Sequence, residues 1–209
     1  MPPESRERVR SSTTGRPVRA GGPGLSKSRF TTGLQCHRLL WWTVNEPDAP
    51  ELVPPPEQQA IFDQGTRVGE VARSYIPGGQ LIDLPYWEKA KRVEATREAI
   101  EAGKHVIYET SCLAAGGPTS ANILHRAPRA KGWTVSEVKS PTKVKPQHIP
   151  DAGVQPHVLR RVGLPVARTE VMHLNTNFRH RPWPSPPNRD AIPCREHPWS
   201  KFLHRMLLP

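Results

Sequence analysis

Few features that commonly reveal a function at sight are present in this sequence. Its 3 cysteines, Cys36, Cys112 and Cys194, are odd in number, far apart and without a C-x-x-C pair, which argues against a disulfide framework or a zinc ribbon. No run approaches the ~18 apolar residues of a bilayer crossing, and the N-terminus lacks the apolar stretch of a secretory leader. The expected setting is the cytoplasm, with no membrane partner. No internal repeat is present. Hydrophobic residues reach 35%, below the usual globular share of about 45–50%, so part of the chain is expected to lie outside any core. Proline, with 25 residues, and positive charge, with 30 Lys and Arg against 19 acidic residues and a net charge of +11, are in excess. That charge favours polyanionic partners, nucleic acid first, and says nothing about fold. At 209 residues the chain has room for one ordinary core and not two.

Composition divides the chain into three. Residues 1–24 carry Arg6, Arg8, Arg10, Arg16 and Arg19 among Ser, Thr, Pro and Gly, which predicts a disordered basic tail. Residues 179–209 mix Pro182, Pro184, Pro186, Pro187, Pro193 and Pro198 with Trp and Arg in no helical or strand period. This second tail is also expected to be unfolded. A shifted reading frame or truncated gene would produce the change of character after Phe178, and so would a genuinely divergent tail; the former is the expected one. The domain is expected over residues 25–178.

Within it, Ser26 is placed to cap a short helix through Phe30 and Leu34. The aromatic-rich run Leu39, Leu40, Trp41 and Trp42 follows. Trp41 and Trp42 could stack on bases, but beside two leucines they are expected to pack in the core. Ile61, Val68, Val71, Ala72 and Tyr75 recur at helical spacing and stop at Pro77, Gly78 and Gly79. Tyr86, Ala90, Val93, Ala99 and Ile100 mark one face of a second long helix, with Gly103 at its left-handed cap. The period then shortens. His105 to Thr110, Ser120 to His125 and Trp133 to Lys139 are short, rich in β-branched residues and separated by breaks, and predict a three-strand meander. A helix from Asp151 to Arg161, closed by Gly163 and awkward at Pro156, and a strand from Thr169 to Leu174 complete the order. The expected class is α/β, a mixed sheet flanked by helices, with disordered tails.

Glu137 and Lys139 stand two apart on the third strand of the meander, so they share a face and can address one site. Asn122 lies on the neighbouring strand. A phosphodiesterase uses such a grouping: carboxylates hold a divalent cation, and a lysine positions or deprotonates the attacking water. Alone, a Glu-x-Lys on a strand is usually a solvated ion pair. The surrounding motifs sharpen it: Leu25-Ser26-Lys27-Ser28-Arg29-Phe30, Gly33-Leu34-Gln35-Cys36, Phe62-Asp63-Gln64-Gly65 with Val68-Gly69-Glu70, Tyr108-Glu109, Glu137-Val138-Lys139-Ser140, Val144-Lys145, Gln155, and Met172-His173-Leu174-Asn175. In this order the chain resembles the restriction-endonuclease-like core of RecB-like nucleases of the PD-(D/E)XK superfamily. Within that superfamily it resembles more closely a bacterial group related to CRISPR-associated RecB-like exonucleases.

The resemblance implies metal-dependent hydrolysis of DNA phosphodiesters, with Mg2+ or Mn2+ as cofactor and DNA, or alternatively RNA, as partner. It implies Glu137 as a metal ligand, Lys139 as the catalytic lysine, Val138 as a backbone carbonyl ligand, and Gln155 as a residue supporting the site or contacting substrate. Glu70 is implied to complete the metal shell or contact the DNA end, although Gly65 is followed by Gly69 where many relatives carry a Gly-x-x-x-His. Asn122 stands where the pattern has a metal-binding Asp. The Asn122 amide oxygen can still ligate a cation and is counted with the implied metal ligands, but it brings no negative charge to Mg2+. This leaves open either a working variant centre or an impaired one, and the alternative is a non-catalytic nucleic-acid-binding remnant or a gene fragment. Some relatives hold an iron-sulfur cluster with one cysteine before the core and three after it. With only Cys194 after the core, a cluster is not expected, and Cys36 is read as a plain thiol. His37, His105, His125 and His173 are read as ordinary residues.

Overall fold

A computed structural model describes residues 24–114, 117–176 and 203–208. The N-terminal tail expected over residues 1–24 lies almost wholly outside them, as does most of the second tail. The helices are α1 (Lys27–Gln35), α2 (His37–Asn45), α3 (Pro56–Tyr75), α4 (Lys89–Glu101) and α5 (His148–Arg161). The strands are β1 (Gln80–Leu81), β2 (Val106–Ala114), β3 (Gly117–His125), β4 (Trp133–Lys139), β5 (Val166–Leu174) and β6 (Leu203–Leu207). The fold is mixed α/β. One six-stranded sheet runs in the order β1-β2-β3-β4-β5-β6, antiparallel through β2, β3 and β4, with β1 parallel to β2, β5 parallel to β4, and β6 antiparallel to β5.

Alternation along the strands sends side chains to two cores. On one face Ile107, Leu124, Trp133 and Val135 pack with Ala99 of α4 and Val158 and Leu159 of α5. On the other, Tyr108, Ile123 and Met172 pack with Val68 and Ala72 of α3. Each fully buried large side chain contributes about 1.5–3 kcal/mol. Tyr108 also fixes the end of α3: its hydroxyl donates to the Ile76 carbonyl at 2.5 Å, and Gly79 lies so close that a Cβ there would strike the ring.

The expected helices and strands form with small shifts of boundary. Ser26 caps α1 by accepting the Arg29 N–H, and Gly103 and Gly163 take φ of 75° and 85° beyond α4 and α5, a region open to glycine at little cost. α5 continues through a buried Pro156. No helix among the described residues is long and apolar enough to cross a membrane.

Three expectations need correction. The inward face of α4 is Arg92, Thr96 and Ala99, while Tyr86 precedes the helix and Ala90 is exposed. The stripe was misplaced because Arg92 and Thr96 meet polar acceptors and donors on β2, so hydrophobicity does not mark it. Trp41 is 51% exposed, and Trp42 lies under Arg38 at 4.8 Å instead of in either core. Neither α1 nor α2 buries any residue. Finally, Leu203–Leu207 within the second tail is a strand, paired along β5 from Glu170↔Leu207 to Leu174↔Leu203. Its Arg205 approaches Glu170, which also accepts from Ser136 Oγ at 2.6 Å.

Candidate functional site

The sheet opens at its centre, and the opening is written into the pairing. Between β2 and β3 the ladder pairs Tyr108 with Ile123 and Thr110 with Ala121, stepping over Glu109 and Asn122. Between β3 and β4 it ends at Ile123↔Ser136. Glu137, Val138 and Lys139 are thus held from the β5 side, against Val171, Met172 and His173. Asn122 bridges the gap by accepting the Val138 N–H on its Oδ1 at 2.9 Å. A side-chain oxygen here replaces the ladder acceptor that the separated strands no longer supply.

Glu109 has φ of 55°, a conformation that costs a non-glycine residue of order 1–3 kcal/mol and persists only where its surroundings enforce it. Arg92, buried on α4, enforces it. Its guanidinium donates to the Glu109 carbonyl at 2.7 Å, to Ser111 Oγ at 3.1 Å and to the Leu84 carbonyl. The Glu109 carboxylate is left facing the opening, with Arg73 of α3 at 3.5 Å.

Glu137 sits at the middle of a charge-balanced cluster. Lys139 and Lys27 both donate to its Oε1 at 2.8 Å, and Gln155 donates to its Oε2 at 2.6 Å. Asp151 takes the same two lysines, Lys27 at 3.4 Å on Oδ1 and Lys139 on Oδ2. Burial alone would raise the Glu137 carboxyl, but the ammonium groups of Lys27 and Lys139 outweigh it and hold the group down at about 2. For Lys139 burial opposes the charge, yet Glu137 and Asp151 push its pKa above the ordinary lysine value. Gln155 is fully buried, and its Oε1 has no partner among the described residues. The amide is oriented by the carboxylate, because the reverse orientation would set oxygen against oxygen. His148 begins α5 beside this cluster. Burial and then Lys139 lower its pKa, and as a neutral ring it accepts the Lys145 N–H at 3.2 Å.

Of the residues singled out from sequence, the structure gathers Glu137, Val138, Lys139, Gln155 and Asn122. It does not gather Glu70, which is exposed on α3 and lines neither cavity of the site. One turn of α3 turns Gly69 and Arg73 inward and Glu70 away. Lys27, Asp151 and Glu109 carried no assigned role, yet all three lie in the site. Asp151 had a legible signal, since it is four residues before Gln155 and shares its helix face. Lys27 had none, being 110 residues from its partner. Cys36 is exposed, whereas Cys112 is buried and its thiol is pushed up to about 11, so Cys112 is not an activated nucleophile.

Two cavities meet at this point. One of about 480 Å³ is lined by Lys27, Thr31, Tyr86, Lys89, Ser111 and Ser120. The other, of about 710 Å³, is lined by Phe62, Thr66, Arg73, Ser140 and His148. Glu109, Asn122, Glu137 and Lys139 line both. The arrangement is a cleft crossing the sheet opening, with the acid and lysine pair on its floor.

A Mg2+ or Mn2+ ion needs several oxygen ligands free to turn toward it. Here the Glu137 and Asp151 oxygens accept from Lys27, Lys139 and Gln155, the Asn122 oxygen accepts from Val138, and Glu109 faces Arg73. Among the described residues no group of three His, Cys, Asp or Glu is placed to hold a metal. Of the ligands that the resemblance implies, Glu70 is turned away and the Asn122 oxygen is engaged by the Val138 N–H. No protein-family profile, curated protein or solved structure matches the chain. The likeness to RecB-like nucleases therefore rests on sequence motifs alone.

Proposed function

We propose that the cleft binds a nucleic-acid strand by charge and hydroxyl contacts, without metal-driven cleavage. The observation that carries this reading is the ammonium group of Lys27 lying between Glu137 and Asp151. It supplies in place the positive charge that a divalent cation would bring, and the centre is neutral without a metal. The cations left over lie at the rims. Lys89 lines the first cavity, and Lys143 and Lys145 lie in the loop from Ser140 to His148 that borders the second. None of these three pairs with a carboxylate among the described residues, so each is free to meet a phosphate. With a net charge of +11, binding falls steeply with salt, by a slope near −0.7 per phosphate neutralised on a single strand.

The test is fluorescence anisotropy of labelled single- and double-stranded oligonucleotides in EDTA and in Mn2+, over a salt series. Salt-sensitive binding, equal with and without metal and with no cleavage, is the expected result. Metal-dependent stabilisation in a thermal melt would overturn it.

A second reading, hydrolysis, is favoured by one observation: Glu137, Lys139 and Gln155 are hydrogen-bonded together on the cleft floor. Cleavage by the native chain in Mn2+ that is lost in Glu137→Ala supports it. Cleavage that appears only in Asn122→Asp identifies a centre disabled at that one position.

A further inference from the structure

The segment between β1 and α4 presents Tyr86 and Trp87 to solvent at 78% and 67% exposure. They are held edge to face, with ring centroids 5.1 Å apart. Two adjacent aromatic rings with so little burial contribute almost nothing to the core. Their position gives them a use. Tyr86 lines the first cavity together with Lys27, Lys89, Ser111 and Ser120, so an aromatic face, a free ammonium and several hydroxyls converge at one mouth of the cleft. Of the two rings only Tyr86 lines the cavity; Trp87 stands behind it.

We infer that Tyr86 is a stacking platform for an unpaired nucleobase, braced by Trp87, with Lys89 taking the adjoining phosphate. The inference deepens the proposed function and rests on it. The chemistry is selective in a way that charge alone is not. Lysines meet any phosphate, whereas a ring stacks only on a base that is out of its duplex. Trp87, set nearly perpendicular to the tyrosine ring at an interplanar angle of 81°, limits that ring's rotation, which lowers the ordering cost of binding. The acid and lysine pair of Glu137 and Lys139 lies deeper in the same cavity, so a base held at the mouth would carry the following backbone inward toward it.

The experiment uses the full chain and three probes of equal length: a labelled single strand, its abasic counterpart and a duplex. They are titrated against native protein, Tyr86→Ala, Tyr86→Phe and Trp87→Ala. Tyr86→Ala is expected to weaken the single strand about tenfold and to leave the abasic strand and duplex within twofold. Tyr86→Phe should restore the native value, since the ring and not the hydroxyl stacks, and Trp87→Ala should fall between. Because both rings lie outside the core, the variants are expected to melt with the native protein. Equal single-strand affinity in Tyr86→Ala, or an equal loss on the abasic strand, would overturn the stacking role while leaving the nucleic-acid reading intact. Failure of the native protein to bind any of the three probes would overturn both.

Discussion

Replacing Lys27 with methionine removes one of the two ammonium groups that hold Glu137 ionised, while keeping much of the side chain's length. The side chain of Glu137 is 5% exposed and that of Lys27 is 17% exposed, so the pair is screened far less than a surface contact. Breaking a buried pair from one side costs about 3–5 kcal/mol. Lys139 remains on the same oxygen at 2.8 Å, so about 2 kcal/mol is expected from Lys27→Met. The second oxygen keeps Gln155. A double-mutant cycle with Glu137→Gln isolates the pair, and a coupling energy of about 1–2 kcal/mol is expected. The readout is urea unfolding followed by tryptophan fluorescence at pH 7.

Acid provides a second readout of the same cluster. Holding the Glu137 carboxyl near 2 instead of near 4.5 corresponds to about 3 kcal/mol of folded-state stability. The folded pKa is the depressed one. The stability is therefore fully present above pH 4.5 and is lost as pH falls from 4.5 toward 2. In Lys27→Met this component should be smaller and should end at a higher pH, because the folded pKa of Glu137 rises toward 4.5 while the unfolded value is unchanged, and in Glu137→Gln it should vanish. A coupling energy below about 0.5 kcal/mol, or an acid limb of Glu137→Gln that superimposes on the native one, would refute the reasoning.

Other substitutions probe the opening in the sheet. Asn122→Ala leaves the Val138 N–H without an acceptor and should cost about 1–3 kcal/mol in urea unfolding, whereas Asn122→Asp keeps the acceptor and should cost less. Arg92→Met abandons three acceptors and releases the Glu109 conformation; a loss of about 3 kcal/mol or more is expected. Gly117 has φ of 120° and lies where a Cβ would strike the Leu25 carbonyl. Gly117→Ala should therefore loosen the start of α1, seen as faster amide exchange over residues 27–35 with slower change in the sheet.

Much of the architecture was legible because it depends on local chemistry. Ser26 can cap a helix wherever the helix packs, Gly103 and Gly163 relieve a left-handed turn with no Cβ, and the change from helical to strand period after Gly103 needs no tertiary knowledge. The class α/β and the identity of β4 with the stretch Trp133 to Lys139 follow from those signals. β6 was hidden, because five residues in a proline-rich stretch become a strand only when β5 offers its edge. The α4 stripe was hidden too, since Arg92 and Thr96 look solvent-facing until polar groups on β2 satisfy them.

The same division runs through the site. Spacing by two puts Glu137 and Lys139 on one face of any strand, and spacing by four puts Asp151 and Gln155 on one face of any helix. Those relations the sequence contained by itself. It could not contain the Lys27 contact, because a helix at residue 27 reaches residue 137 only after both have packed on the sheet. Nor could it tell that one turn of α3 would face Arg73 inward and Glu70 outward. Most of all, the role of Asn122 was decided by where the strands part. Read as a missing aspartate, it is a lost charge. Placed in the gap between β3 and β4, its amide oxygen is the acceptor that holds Val138, and with it Glu137 and Lys139, in position.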